Sequence, residues 1–130
     1  MPSLVVATGH EEDAMKYLYL LYADESQAPA PGSPEMLQQL EGYNAFFKEV
    51  NDKDLVRAGD PVQGSATSTT VRARNGGVEQ TPGPFGKGAE QIIGFYVLDV
   101  ASQDEAVQYA AKIPAAKHGA IEVRPILDLN

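Results

Sequence analysis

The chain has 130 residues, 43% hydrophobic and 22% charged, with 10 Lys+Arg against 18 Asp+Glu, a formal net charge of −8 and no cysteine. This fits one globular domain and excludes a wholly disordered chain, while the missing cysteines exclude disulfides, thiol nucleophiles and thiolate metal sites. The acidic balance excludes a binder of the nucleic-acid backbone, which needs clustered Lys and Arg.

No apolar run approaches the ~20 residues needed to span a bilayer. Leu4-Val5-Val6-Ala7 is too short for a secretory core and is soon followed by Glu11, Glu12 and Asp13, so a cytoplasmic protein away from membranes is expected. Residues 1–14 read as an extension, expected to be mobile, ahead of a domain over residues 15–130. Residues 15–23 form an almost unbroken apolar and aromatic run, the pattern of a strand buried on both faces. Three prolines and a glycine make 26–34 a loop. Ser33-Pro34 then opens a helix over 34–52, with Met36, Leu40, Tyr43, Phe47 and Val50 as its apolar face.

Thr67 to Arg74 is rich in β-branched residues and reads as a strand, turned at Asn75-Gly76 and returning along Val78-Glu79-Gln80-Thr81. A Gly/Pro-rich loop, Pro82 to Gly88, leads to a core strand over Ile92–Leu98 that is again apolar on both faces. Ser102 and Glu105 supply the capping box of a second helix, whose buried side is Ala106, Tyr109, Ala110 and Ile113 and whose end is Pro114. Ala120 to Leu127 gives the last strand. The order is β-α-β-β-α-β, a ferredoxin-like α+β sandwich. Two helices cover only one face of its sheet, yet the first and third core strands are apolar on both. A second copy packing sheet against sheet is the economical cover, so a homodimer is expected.

Met15-Lys16-Tyr17-Leu18 through Tyr22-Ala23-Asp24-Glu25, Ala66 through Arg72, Gly83-Pro84-Phe85, Gly94-Phe95-Tyr96 and Ile113 through Pro125 together resemble DGPF-domain proteins, a branch of the YCII-related group. The resemblance spans about residues 15–127 in the right order. It implies a ferredoxin-like subunit pairing as a dimeric α/β barrel. It also implies a link to pathways of extracytoplasmic-function sigma factors, and it supplies no reaction. Two departures stand out. Pro82 occupies the place of the signature aspartate, and Gly86-Lys87-Gly88-Ala89-Glu90 replaces the acidic stretch that usually follows. The histidine proposed for the first helix of YCII-type relatives has no counterpart, because Pro34 to Asp52 contains none.

Arg72 and Arg74 share one strand face by period two, and Arg124 shares its face with Glu122. Facing an interior, these charges need partners or an anionic ligand, with Tyr17 and Tyr19 supplying hydroxyls and apolar walls. The competing reading is structural ion pairing of Arg72 and Arg124, with Glu122 or across a dimer. His118, in the loop before the last strand, and Asp60 are the acid–base candidates, though such residues are more often a surface histidine and an ordinary turn aspartate. The loop Pro82–Gly88 lacks the G-x-x-x-x-G-K-[S/T] spacing of a phosphate loop, and its Phe85 reads first as a packing anchor. No metal site and no cofactor are implied by two distant histidines and no cysteine. Three functions remain open: a homodimer binding a small anionic molecule, a cofactor-free isomerase, lyase or oxygenase using His118 or Asp60, and an interaction module with a sigma-factor pathway partner.

Overall fold

The fold was obtained as a computed structural model that describes residues 15–129; the expected extension, residues 1–14, lies outside the described residues. The first strand, β1 (Met15–Asp24), runs through the middle of the sheet. Its odd-numbered residues Tyr17, Tyr19, Leu21 and Ala23 are buried and the even-numbered Leu18, Leu20, Tyr22 and Asp24 half-buried, as the period of two dictates. Helix α1 (Pro34–Asp52) starts at Ser33, whose hydroxyl accepts from the Met36 N–H at 3.2 Å, with proline at the first position. The buried stripe of α1 differs from the expected face: Phe46 and Val50 are buried and Tyr43 half-buried, while Leu40 and Phe47 are 46% and 43% exposed. One residue turns the helix by about 100°, so with Phe46 pointing into the core Phe47 points away from it.

The second strand of the sheet is β2 (Val56–Pro61), a segment the sequence did not mark, rather than the run beginning at Thr67. That run forms β3 (Thr69–Arg74), which pairs with β4 (Gly77–Pro82) as a separate two-stranded hairpin. Asn75 and Gly76 turn it with φ of 52° and 77°, both in the left-handed region that a two-residue hairpin turn requires. Strand β5 (Glu90–Val100), helix α2 (Gln103–Lys112) and strand β6 (Ala120–Pro125) complete the chain. The four-stranded antiparallel sheet has the order β2-β5-β1-β6, with both helices on one face, a ferredoxin-like α+β arrangement.

The core lies between that face and the helices. Tyr17, Tyr19, Leu21, Leu98 and Val100 meet Phe46 and Val50 of α1, Ala106 and Tyr109 of α2, and Ile113 beyond it. Each large side chain so buried stabilises the fold by about 1.5–3 kcal/mol. Phe46 and Tyr96 pack with ring centres 5.1 Å apart. At the rim, Glu49 accepts from Lys53 at 3.1 Å and from Lys112 at 2.7 Å, tying α1 to α2 over the Tyr109 ring. The opposite face carries Leu18, Leu20 and Tyr22 of β1 beside Phe95 and Val97 of β5, all half-buried, and among the described elements no helix lies over it.

Candidate functional site

A pocket of about 400 Å³ opens where β1 ends. The pairing of β1 with β5 slips there: Leu21 opposes Gly94 and Tyr22 opposes Ile92, so Ile93 is left out of the ladder. This extra residue lines the pocket with Ala23 from the end of β1. Bulges of this kind re-aim a side chain out of the sheet, often beside functional sites.

The polar wall comes from the turn after β1. Asp24 caps the short 3₁₀ turn Glu25–Gln27, its Oδ1 accepting from the Ser26 N–H at 3.0 Å and from the Ser26 hydroxyl at 2.7 Å. Glu25 reaches across the pocket to a second 3₁₀ turn, Ser65–Thr67. Its Oε2 accepts from the Ser65 N–H at 2.7 Å and its Oε1 from the Ser65 hydroxyl at 2.5 Å. The hydroxyl first, and then the backbone N–H, hold the Glu25 carboxyl below the usual carboxylate range. Both carboxylates are thus engaged as acceptors. Gln27, Gln39 of α1 and His118, from the loop before β6, complete the polar lining. Among the described residues His118 has no hydrogen-bond or ion-pair partner, so its imidazole is available to a ligand.

Of the residues singled out in the sequence, Glu122 and Arg124 are brought together, and the others are not gathered into one site. Tyr17 and Tyr19 are core residues on the helix side, 2% and 0% exposed, and the Tyr19 hydroxyl donates to the Ala106 carbonyl at 3.0 Å. Glu122 and Arg124 oppose Leu20 and Leu18 on the other face of the sheet, where they form an ion pair, and Tyr22 donates to Glu122 at 3.4 Å. Arg72 sits on the β3–β4 hairpin with its guanidinium 5.1 Å from the Phe85 ring centre. Asp60 is exposed on edge strand β2 opposite Phe95, outside the pocket lining that holds His118. The interior expected to be basic is therefore absent from this pocket: its walls carry two carboxylates and no arginine.

Sequence reasoning missed Glu25, Ser65 and Gln39. A signal for Glu25 was present, in the acidic pair that ends an otherwise apolar strand. Ser65 and Gln39 had none, because only the fold brings them to the pocket. No group of three or more His, Asp or Glu among the described residues could hold a metal ion. No helix among them is long and apolar enough to cross a membrane.

A four-stranded antiparallel sheet with two helices on one face, and a mostly apolar pocket carrying a few polar groups at the end of β1, defines a small ferredoxin-like α+β subunit. The profile of the YCII-related domain matches residues 15–130. An uncharacterised protein of Rhizobium meliloti (strain 1021) is 30% identical over 114 residues, covering 86% of this chain and 92% of that protein. The chain belongs to the YCII-related family.

Proposed function

We infer that the protein is a homodimer that binds a small polar molecule in the pocket at the end of β1. The observation that carries the reading is His118, an imidazole without a partner among the described residues, on the wall of a cavity about 400 Å³ in volume. That volume lies within the range of about 300–1,000 Å³ typical of small-molecule sites. The expectation of an anion rested on Arg72 and Arg124, neither of which lines the pocket. With Asp24 and Glu25 in the wall, a neutral or cationic polar group fits better. The homodimer is supported by the uncovered face of Leu18, Leu20, Tyr22, Phe95 and Val97, too apolar for a wet sheet surface. A catalytic reading keeps one candidate, His118, and supplies no residue to orient it.

A thermal-shift screen of small neutral, cationic and anionic metabolites tests the binding. A cationic or neutral hit should raise the midpoint of the wild type by several degrees and lose most of that shift in His118→Ala. A hit of equal size in both proteins removes His118 from the site, and a screen without hits overturns the binding. Sedimentation at micromolar concentration should give twice the 13.9 kDa chain mass. A single species at the chain mass overturns the homodimer.

A further inference from the structure

The β3–β4 hairpin is built to lie against something, and nothing in the described chain covers it. By its register, Val71, Ala73 and Val78 share one face with Thr69 and Gln80, while Arg72, Arg74 and Glu79 share the other. That alternation is the pattern of a sheet with one dry face. Yet every residue of the two strands except Thr70 is exposed, Val71 by 59% and Val78 by 69%. Neither strand pairs with the main sheet. An isolated two-stranded hairpin is at best marginally stable in water, so it needs a third layer. Its base is firmly made, by the Gly83 N–H donating to the Ser68 carbonyl at 2.8 Å and the Thr70 hydroxyl donating to the Gly83 carbonyl at 2.9 Å. It is thus a formed arm.

Charge identifies the occupant. Arg72 and Arg74 against Glu79 give the hairpin, residues 69–82, a net charge of +1, and taking this from −8 leaves −9 on the rest of the chain. A basic arm with exposed valines complements an acidic body. We propose that the hairpin is an exchange arm, which in the homodimer lies on the body of the second copy. This rests on the homodimer inferred above and extends it, because the arm adds a contact that sheet-on-sheet packing does not need. The contact is isologous: each copy gives an arm and receives one. Opposite charge guides the approach, and the valines supply the buried apolar area.

The geometry of the base makes a clean test. Ser68 and Gly83 are already hydrogen-bonded across the arm's foot, so residues 69–82 can be replaced by Gly-Gly without disturbing the sheet. The dimer dissociation constant of the excised chain, measured by sedimentation, should rise at least about tenfold over the wild type, with the same near-ultraviolet circular dichroism. The double variant Val71→Asp/Val78→Asp, changed only at exposed positions, should show a similar loss. In the wild type, amide hydrogen exchange over residues 69–82 should be slow in the dimer and fast after dilution to monomer. A wild-type dimer whose affinity is unchanged by excision overturns the arm and leaves the homodimer standing. A wild type that is monomeric throughout overturns both. Slow exchange that persists in the monomer, and is lost on removing residues 1–14, overturns the arm by making the chain's own N-terminal segment its cover.

Discussion

Gly119 shows how closely the backbone is packed where the last strand begins. A Cβ on this residue would overlap the Tyr22 carbonyl oxygen, and a backbone atom cannot give way as a side-chain tip can. Gly119→Ala should therefore cost about 3 kcal/mol, lowering the melting midpoint by roughly 10 °C. Differential scanning calorimetry checks it, and a shift under about 2 °C would show that the strand can move aside. The buried tyrosines make a second prediction. Burial, and then the neighbouring Tyr17, Glu105 and Tyr109, hold the Tyr19 hydroxyl well above its ordinary range, and burial pushes Tyr96 up to about 12. Both raised values favour the protonated form in the folded chain. Their stabilising contribution is whole below pH ~10, where tyrosines of the unfolded chain begin to ionise, and is lost as pH rises through the folded values. Melting midpoints should fall between pH ~10 and ~12, and Tyr96→Phe should flatten the fall. An equally steep fall in that variant assigns it to other groups. These tyrosines were legible as strand residues from spacing alone. Their role was not, because alternation says which residues share a face but not which face meets the helices.

At the scale of elements, the strongest local signals gave the right structures. The Ser102–Glu105 box forms, with the Glu105 N–H donating to the Ser102 hydroxyl at 3.1 Å and the Glu105 carboxylate accepting from the Ala101 N–H at 2.8 Å. Ser102→Ala should destabilise the chain by about 1 kcal/mol, seen as a lower urea midpoint with an unchanged slope. A changed slope would mean that α2 unfolds separately. Strand β2 gave no such signal. It contains Arg57, Gly59, Asp60 and Pro61, lies at the sheet edge and has no buried residue, so it lacks the apolar alternation on which strands are recognised. What makes it a strand is β5 beside it, a long-range cause invisible in six residues. Gly59 is needed there, since a Cβ would meet the Tyr96 ring at 2.7 Å. The segment from Thr67 had the stronger strand composition, and it does form a strand. Composition could not say that its only partner would be its own return. The pocket was illegible for the same reason: Glu25, Ser65 and Gln39 are far apart in sequence, and only the bulge at Ile93 and two short turns draw them together.

For the whole molecule, the charge of −8 acquires a layout. All four arginines lie on strands, but none is interior: Arg57 pairs with Asp99 at 3.4 Å, Arg124 with Glu122, Arg72 stacks on Phe85, and Arg74 is exposed on the hairpin. Among the described elements, the sheet face opposite the helices is both central and uncovered, and it is the seam of the proposed homodimer. Leu20 sits at its middle, opposite Phe95 on one side and Glu122 on the other. In a monomer, Leu20→Glu places a charge on a wet surface and should change stability by no more than about 1 kcal/mol. In a dimer sealed at this face, the same glutamate enters a seam beside Glu122, whose neighbouring cation, Arg124, is already paired. Leaving one buried charge unpaired costs about 3–5 kcal/mol, enough to raise the dissociation constant at least ~100-fold. Sedimentation of Leu20→Glu should therefore show a folded monomer at concentrations where the wild type is dimeric. A variant that dimerises as tightly as the wild type places the seam elsewhere. The half-buried leucines of β1 would then be an exposed apolar surface still to be explained.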